Sequence, residues 1–128
     1  MEITVGLKAE VGTLVETADT ALEVGSGSLR VYATPCMAAL MEGAACEALE
    51  GCLPEEKTTV GIELNLKHLA ATPVGMEVRA EAEVTAVEGN IITFAITAFD
   101  EAGKIGEATH KRAIVTVQKF LDKTYAKL

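Results

Sequence analysis

Two spacings of hydrophobic residues divide the chain. From Thr34 to about Gly51 the residues Cys36-Met-Ala-Ala-Leu-Met-Glu-Gly-Ala-Ala-Cys-Glu-Ala-Leu-Glu are mostly strong helix formers, with no β-branched member. Thr34 suits an N-cap and Pro35 the first helical position, while Pro54 forbids continuation. This predicts one helix roughly 25 Å long. After Pro54 the period becomes two. Val60, Ile62, Leu64 and Leu66 alternate with Thr59, Gly61, Glu63, Asn65 and Lys67, as in a half-buried strand. Strands rich in Val, Ile and Thr are expected over Thr58 to Leu69, Met76 to Glu88, Ile91 to Asp100 and Ile105 to Gln118. Turn residues at Thr72-Pro73-Val74-Gly75, Glu88-Gly89-Asn90 and Glu101-Ala102-Gly103-Lys104 predict that these four strands form an antiparallel meander. An opening extended segment, Ile3 to Glu16, and a mobile Gly25-Ser26-Gly27-Ser28 connection precede the helix. One long helix then covers one face of one sheet, an α+β architecture.

A few polar residues interrupt these apolar faces. Continued one step, the face carrying Leu64 and Leu66 presents His68. Alone, such a residue reads as a histidine at the core edge, bonded to a backbone carbonyl. On the helix, Glu47 and Glu50 share a polar face, but Glu42 lies about 140° from Glu47. Ala38, Ala39, Ala45 and Cys46 stand three or four positions away from it, so its carboxylate is expected to project from the very stripe that packs on the sheet. The alternative is a tolerated glutamate at the stripe's margin. An unpaired carboxylate in such a place is costly, so Glu42 and His68 are candidates for an acid/base pair, within one subunit or across an interface. Thr34, just over two helical turns before Glu42, combines a capping role with a hydroxyl proton free for a second partner. Cys36 near the helix start is a weaker nucleophile candidate. His110 and Arg112 alternate onto one strand face, either toward a ligand or toward solvent.

Length and composition narrow the classes. A chain of 128 residues fits one domain, read here as a single unit over residues 1–128. The net charge of -8, without a run of Lys and Arg, speaks against a nucleic-acid surface. A phosphate-bearing ligand requires a local basic rim, for which Lys67, Lys104, Lys111 and Arg112 are candidates. No apolar stretch approaches the roughly 20 residues of a membrane span, and the N-terminus lacks a signal-peptide pattern, so a cytoplasmic protein with no membrane partner is expected. Cys36, Cys46 and Cys52 lack metal-type spacing and are expected as reduced, buried thiols. His68, His110 and the scattered carboxylates predict no metal site. The Gly25 to Ser28 stretch lacks the lysine of a phosphate loop.

Three segments carry a more specific resemblance: Tyr32-Ala33-Thr34-Pro35 leading to Met41-Glu42, then Thr59-Val60-Gly61, then His68-Leu69-Ala70-Ala71-Thr72-Pro73-Val74-Gly75-Met76. In these and in their spacing the sequence resembles the hotdog thioesterases, specifically the fluoroacetyl-CoA thioesterase-like subgroup, over about Val5 to Val117. The resemblance implies a hotdog fold, a long central helix wrapped by a curved antiparallel sheet of about five strands. It also implies a homodimer joined edge to edge with active sites at the interface, and an acyl-CoA substrate with no further cofactor. Thr34, Glu42 and His68 match the catalytic threonine, glutamate and histidine, while Gly61 and Arg112 match positions that hold the acyl end. The fluoroacetate-specific enzyme carries gating phenylalanines before the threonine. Here Val24 to Ala33 contains only Tyr32, which joins the substrate-binding set, and a different small or medium acyl group is expected.

On this reading Glu42 activates water or attacks directly, His68 manages the proton of the thiolate leaving group, and Thr34 hydrogen-bonds a reacting oxygen or the carboxylate. Rival functions are a non-catalytic acyl-CoA or small-molecule binding hotdog, a hotdog hydratase or dehydratase, and a structural dimerisation module. The Thr34 to Glu42 spacing favours the thioesterase.

Overall fold

A computed structural model describes residues 2–128. The chain forms strand β1 (Lys8–Leu14), a single 3-10 turn at Thr17–Asp19, and the short helix α1 (Ala21–Val24). The long helix α2 (Thr34–Ala48) follows, then strands β2 (Lys57–His68), β3 (Glu77–Glu88), β4 (Ile91–Asp100) and β5 (Lys104–Thr116), and a final helix α3 (Val117–Tyr125). The strands make one antiparallel sheet in the order β1-β3-β4-β5-β2.

The sheet order corrects the predicted four-strand meander. Only β3, β4 and β5 follow one another, and β2 pairs with β5 at the far edge. The Thr72-Pro73-Val74-Gly75 segment is not a hairpin, because its backbone is engaged elsewhere. The Thr72 carbonyl accepts the Tyr32 N–H, Gly75 N–H donates to the Val15 carbonyl, and Pro73 bridges to Val31. The Thr72 hydroxyl donates to Asp100 Oδ2 at 2.8 Å. These contacts carry the chain past the start of α2 from one sheet edge toward the other.

Helix α2 begins one residue earlier than its capping signals suggested. Ala33 is the N-cap, without a side-chain bond, and Thr34 and Pro35 open the helix. The face that packs on the sheet is Met37, Met41, Ala44, Ala45 and Ala48, spaced as one helical stripe. Ala39 and Cys46, expected in that stripe, are exposed, and Cys36 and Cys52 are only half-buried. Opposite the helix lie Val78, Ala80, Ala82 and Val84 of β3 and Ile92, Phe94, Ile96 and Ala98 of β4. Small residues on both surfaces let the backbones approach, with Phe94 the largest side chain filling the layer. Gly106 of β5 continues this economy of size, since a Cβ there would press on Met37.

Strand β2 departs from regular alternation. Gly61 pairs with Arg112 and Glu63 with Lys111, which leaves Ile62 as an extra residue in a β-bulge. Ile62 is 53% exposed, not part of the core-facing set. Thr59 and Gly61 before the bulge, and Leu64, Leu66 and His68 after it, oppose Ile114, Arg112, His110, Ala108 and Gly106 in turn. The bulge therefore shifts the phase, and Val60 and Ile62 leave the face that uninterrupted alternation assigned to them.

Candidate active site

One polar pair forms where α2 begins. Thr34 Oγ1 and His68 Nδ1 share a hydrogen bond of 2.7 Å. The Thr34 hydroxyl is thus directed at the histidine instead of capping its own helix. His68 Nε2 is buried and has no protein partner among the described residues. The pair borders a cleft of about 330 Å³, also lined by Tyr32, Val31, Leu69 and Ala71. Tyr32 is buried, and its phenol is held protonated, first by burial and then by Cys36 and Asp19. Burial and Asp19 also push the Cys36 thiol up, which weakens it as a nucleophile.

A second cluster lies further along α2, against the first half of β2. Glu42 Oε2 accepts from Arg112 Nη1 at 3.2 Å and stands 3.8 Å from His110 Nε2. Arg112 is deeply buried and donates Nε–H to Thr59 Oγ1 at 2.9 Å and Nη2–H to the Thr59 carbonyl at 3.1 Å. Its Nη1 also reaches His110 Nε2 at 3.2 Å. Four of the five guanidinium protons therefore meet protein groups. Gly61 faces this cluster, and a Cβ there would overlap Glu42 Oε2. Glu42 is at the margin of the stripe, its side chain 42% exposed, so an ion pair with Arg112 contributes roughly 0–1 kcal/mol. Its importance lies in where it holds the carboxylate.

The two clusters do not meet within one chain. Thr34 and Glu42 are eight residues apart, about 12 Å along a helix axis. His68 ends β2, whereas Gly61 lies seven residues earlier, near the middle of the strand.

The family model for fluoroacetyl-CoA-specific thioesterases matches residues 15–118, most of this chain including both clusters. The chain belongs to the fluoroacetyl-CoA-specific thioesterase family. The fluoroacetyl-CoA thioesterase of Streptantibioticus cattleyicolor is 37% identical over 90 residues, which cover 70% of this chain and 65%, just under two thirds, of that protein. A variant of the fluoroacetyl-CoA thioesterase solved in complex with acetyl-CoA superposes with a TM-score of 0.91 at 30% identity, covering 98% of each chain. A hot-dog-like protein from Thermanaerovibrio acidaminovorans has a TM-score of 0.90 at 24% identity, covering 98% of this chain and 93% of that one. The architecture is a hotdog: a long helix against a five-stranded antiparallel sheet.

Within this thioesterase-family chain the expected residues divide between the clusters. Thr34, His68 and Tyr32 border the cleft, whereas Glu42, Gly61 and Arg112 stand together further along the helix. His110 and Arg112 do share one strand face, as their alternation indicated, but that face is interior. The histidine bonded to a backbone carbonyl is His110, through Nδ1 to the Glu63 carbonyl at 2.8 Å, not His68. Thr59, a polar alternate of β2 and part of the Thr59-Val60-Gly61 segment, carried no expected role of its own. Its position two residues before Gly61, on the face opposite Ile114 and Arg112, was the available signal, hidden by the assumption of unbroken alternation. Among the described residues no group of three or more His, Cys, Asp or Glu is arranged for a metal ion, and no helix is long and apolar enough to cross a membrane.

Proposed function

We propose that this protein hydrolyses an acyl-CoA thioester, with a small or medium acyl group, to a free acid and coenzyme A. The observation that carries the reading is the Thr34–His68 pair, whose outer nitrogen is unpartnered beside an open cleft, in a chain of a thioesterase family. Hydrolysis requires attack on the thioester carbonyl, rupture of the C–S bond and delivery of a proton to the departing thiolate. Glu42 takes a proton from the attacking water or attacks the carbonyl itself. His68 Nε2 exchanges the proton with sulfur. Thr34 orients the imidazole by its bond to Nδ1 and lies where an acyl oxygen can be held.

The half-sites converge if two copies pair along β2. This 12-residue strand is a sheet edge, with backbone groups open to a partner, and it carries both half-sites. A two-fold axis between Leu64 and Asn65, about two residues past the strand's middle, sets Gly61 of one strand against His68 of the other, and so builds two equivalent sites. Pairing through β1 at the other edge completes neither.

The test is release of free thiol from a panel of acyl-CoAs with short, branched, aromatic and halogenated acyl groups. Glu42→Ala and His68→Ala are compared with the wild type. Turnover of one acyl class, lost in both folded variants, supports the proposal and identifies the substrate group. Tight acyl-CoA binding without turnover instead indicates a non-catalytic acyl-CoA binder.

A further inference from the structure

His110 belongs to no role assigned so far, although its ring is almost wholly buried, with only 1% of the side chain exposed. It lies between three elements. Glu63 of β2, the residue at which register resumes after the bulge, presents its carbonyl to Nδ1 at 2.8 Å. Arg112 of β5 presents Nη1 to Nε2 at 3.2 Å, and Glu42 of α2 stands 3.8 Å from the same nitrogen. Phe94 of β4 closes the remaining side, with ring centroids 6.0 Å apart.

These partners determine the tautomer. A carbonyl can only accept, so Nδ1 carries the proton. Arg112 can only donate, so Nε2 carries the lone pair. The opposite tautomer sets lone pair against lone pair at Glu63 and N–H against N–H at Arg112. The doubly protonated ring sets two cations together in a buried space. Burial, and secondarily the Arg112 charge, hold the His110 pKa below its ordinary value, against the opposing pull of the Glu63 carbonyl and Glu42. Arg112 Nη1 has two protons, one directed at His110 and one at Glu42.

We propose that His110 is a positioning residue for hydrolysis: its Nε2 lone pair fixes the Arg112 guanidinium, which in turn fixes the Glu42 carboxylate. This rests on the reading of Glu42 as base or nucleophile. Without the acceptor, Nη1 keeps Glu42 as its only anchor on that side, and the carboxylate gains freedom to swing toward solvent. A misplacement on the order of 1 Å can cost about 100-fold in rate.

Two variants separate this role from a structural one. His110→Asn places an amide N–H near the Nδ1 position and keeps the Glu63 bond, but offers Arg112 no acceptor. His110→Gln reaches further, places an amide oxygen near the Nε2 position and keeps the Arg112 bond, but abandons Glu63. On the acyl-CoA turned over by the wild type, His110→Asn is expected to lose about 100-fold in kcat with KM little changed. His110→Gln should recover most of that loss. Wild-type kcat in His110→Asn overturns the proposal, as does a His110→Gln enzyme that melts normally but is no more active than His110→Asn.

A measurement independent of turnover decides the case if either variant fails to fold or if no acyl-CoA is hydrolysed. Imidazole nitrogen NMR of the wild type should report a neutral His110 with the proton on Nδ1 at neutral pH. A proton on Nε2, or an imidazolium, overturns the proposal. Absence of turnover together with the Nδ1–H signature removes the thioesterase reading and leaves the His110–Arg112–Glu42 linkage in place.

Discussion

At Gly61 the missing side chain is what leaves room for Glu42. The backbone there is ordinary, but an added Cβ meets the end of the Glu42 carboxylate and also crowds the buried His110 Cε1, at 3.2 Å, and Arg112 Nη1, at 3.3 Å. Gly61→Ala is therefore expected to cost about 1–3 kcal/mol while displacing Glu42 from Arg112, with a loss in kcat on the order of 100-fold. Thermal melting and steady-state kinetics on one preparation check both parts. His110 makes a different prediction. Its pKa lies below the ordinary 6.5 because the fold favours the neutral ring, so the stability it contributes is complete above that value and declines as pH falls below it. Melting temperatures taken from about pH 8 down to about pH 5 should fall less steeply in His110→Gln than in the wild type. Equal slopes would show that another group governs the acid limb. Thr34, Glu42 and His68 were legible as candidates because each is polar on or beside an apolar face. The division of labour between the two histidines was not, because period and spacing cannot say which imidazole has a carbonyl within reach.

For α2, composition established the helix, but not its buried side. Alanine suits either environment, so the alanine-rich stretch offered two nearly equal stripes, and the one containing Cys46 was the wrong choice. The two methionines settle the matter, since Met37 and Met41 fill the layer below β3 and β4. Met41→Ala should cost about 2–5 kcal/mol, whereas Cys46→Ala should stay within about 0.5 kcal/mol, as read by chemical denaturation. Comparable losses would mean that the helix is rotated. In β2 alternation was legible on each side of Ile62, but a bulge adds a residue without announcing it, so a single unbroken face was drawn through both halves. The same strand's pairing was misassigned because turn-forming residues between β2 and β3 looked like a hairpin. Their backbone groups answer instead to Val15, Val31 and Tyr32, which are distant in sequence.

Across the whole molecule, an α+β architecture followed from one helix and several strands, and the hotdog fold from the resemblance. The separation of the site into two clusters did not, because no local pattern encodes a distance of two helical turns against most of a strand. That separation makes a quantitative prediction. If each complete site draws Thr34 and His68 from one subunit and Glu42 from another, Glu42→Ala and His68→Ala chains complement each other. Equal mixing after dissociation gives half heterodimers with one intact site of two, and so about a quarter of wild-type activity. Recovery no greater than the sum of the separate variants would place the site within one chain. The sheet order has a further consequence for how the chain comes together during synthesis. Both outer strands are made before the three between them: β1 awaits β3, and β2 awaits β5, the last strand to emerge. Until β3 appears the nascent chain holds a helix and two strands without partners, and β2 stays unpaired until β5 is made, so the sheet closes late and truncations that reach into β5 should abolish the fold abruptly instead of eroding it by degrees.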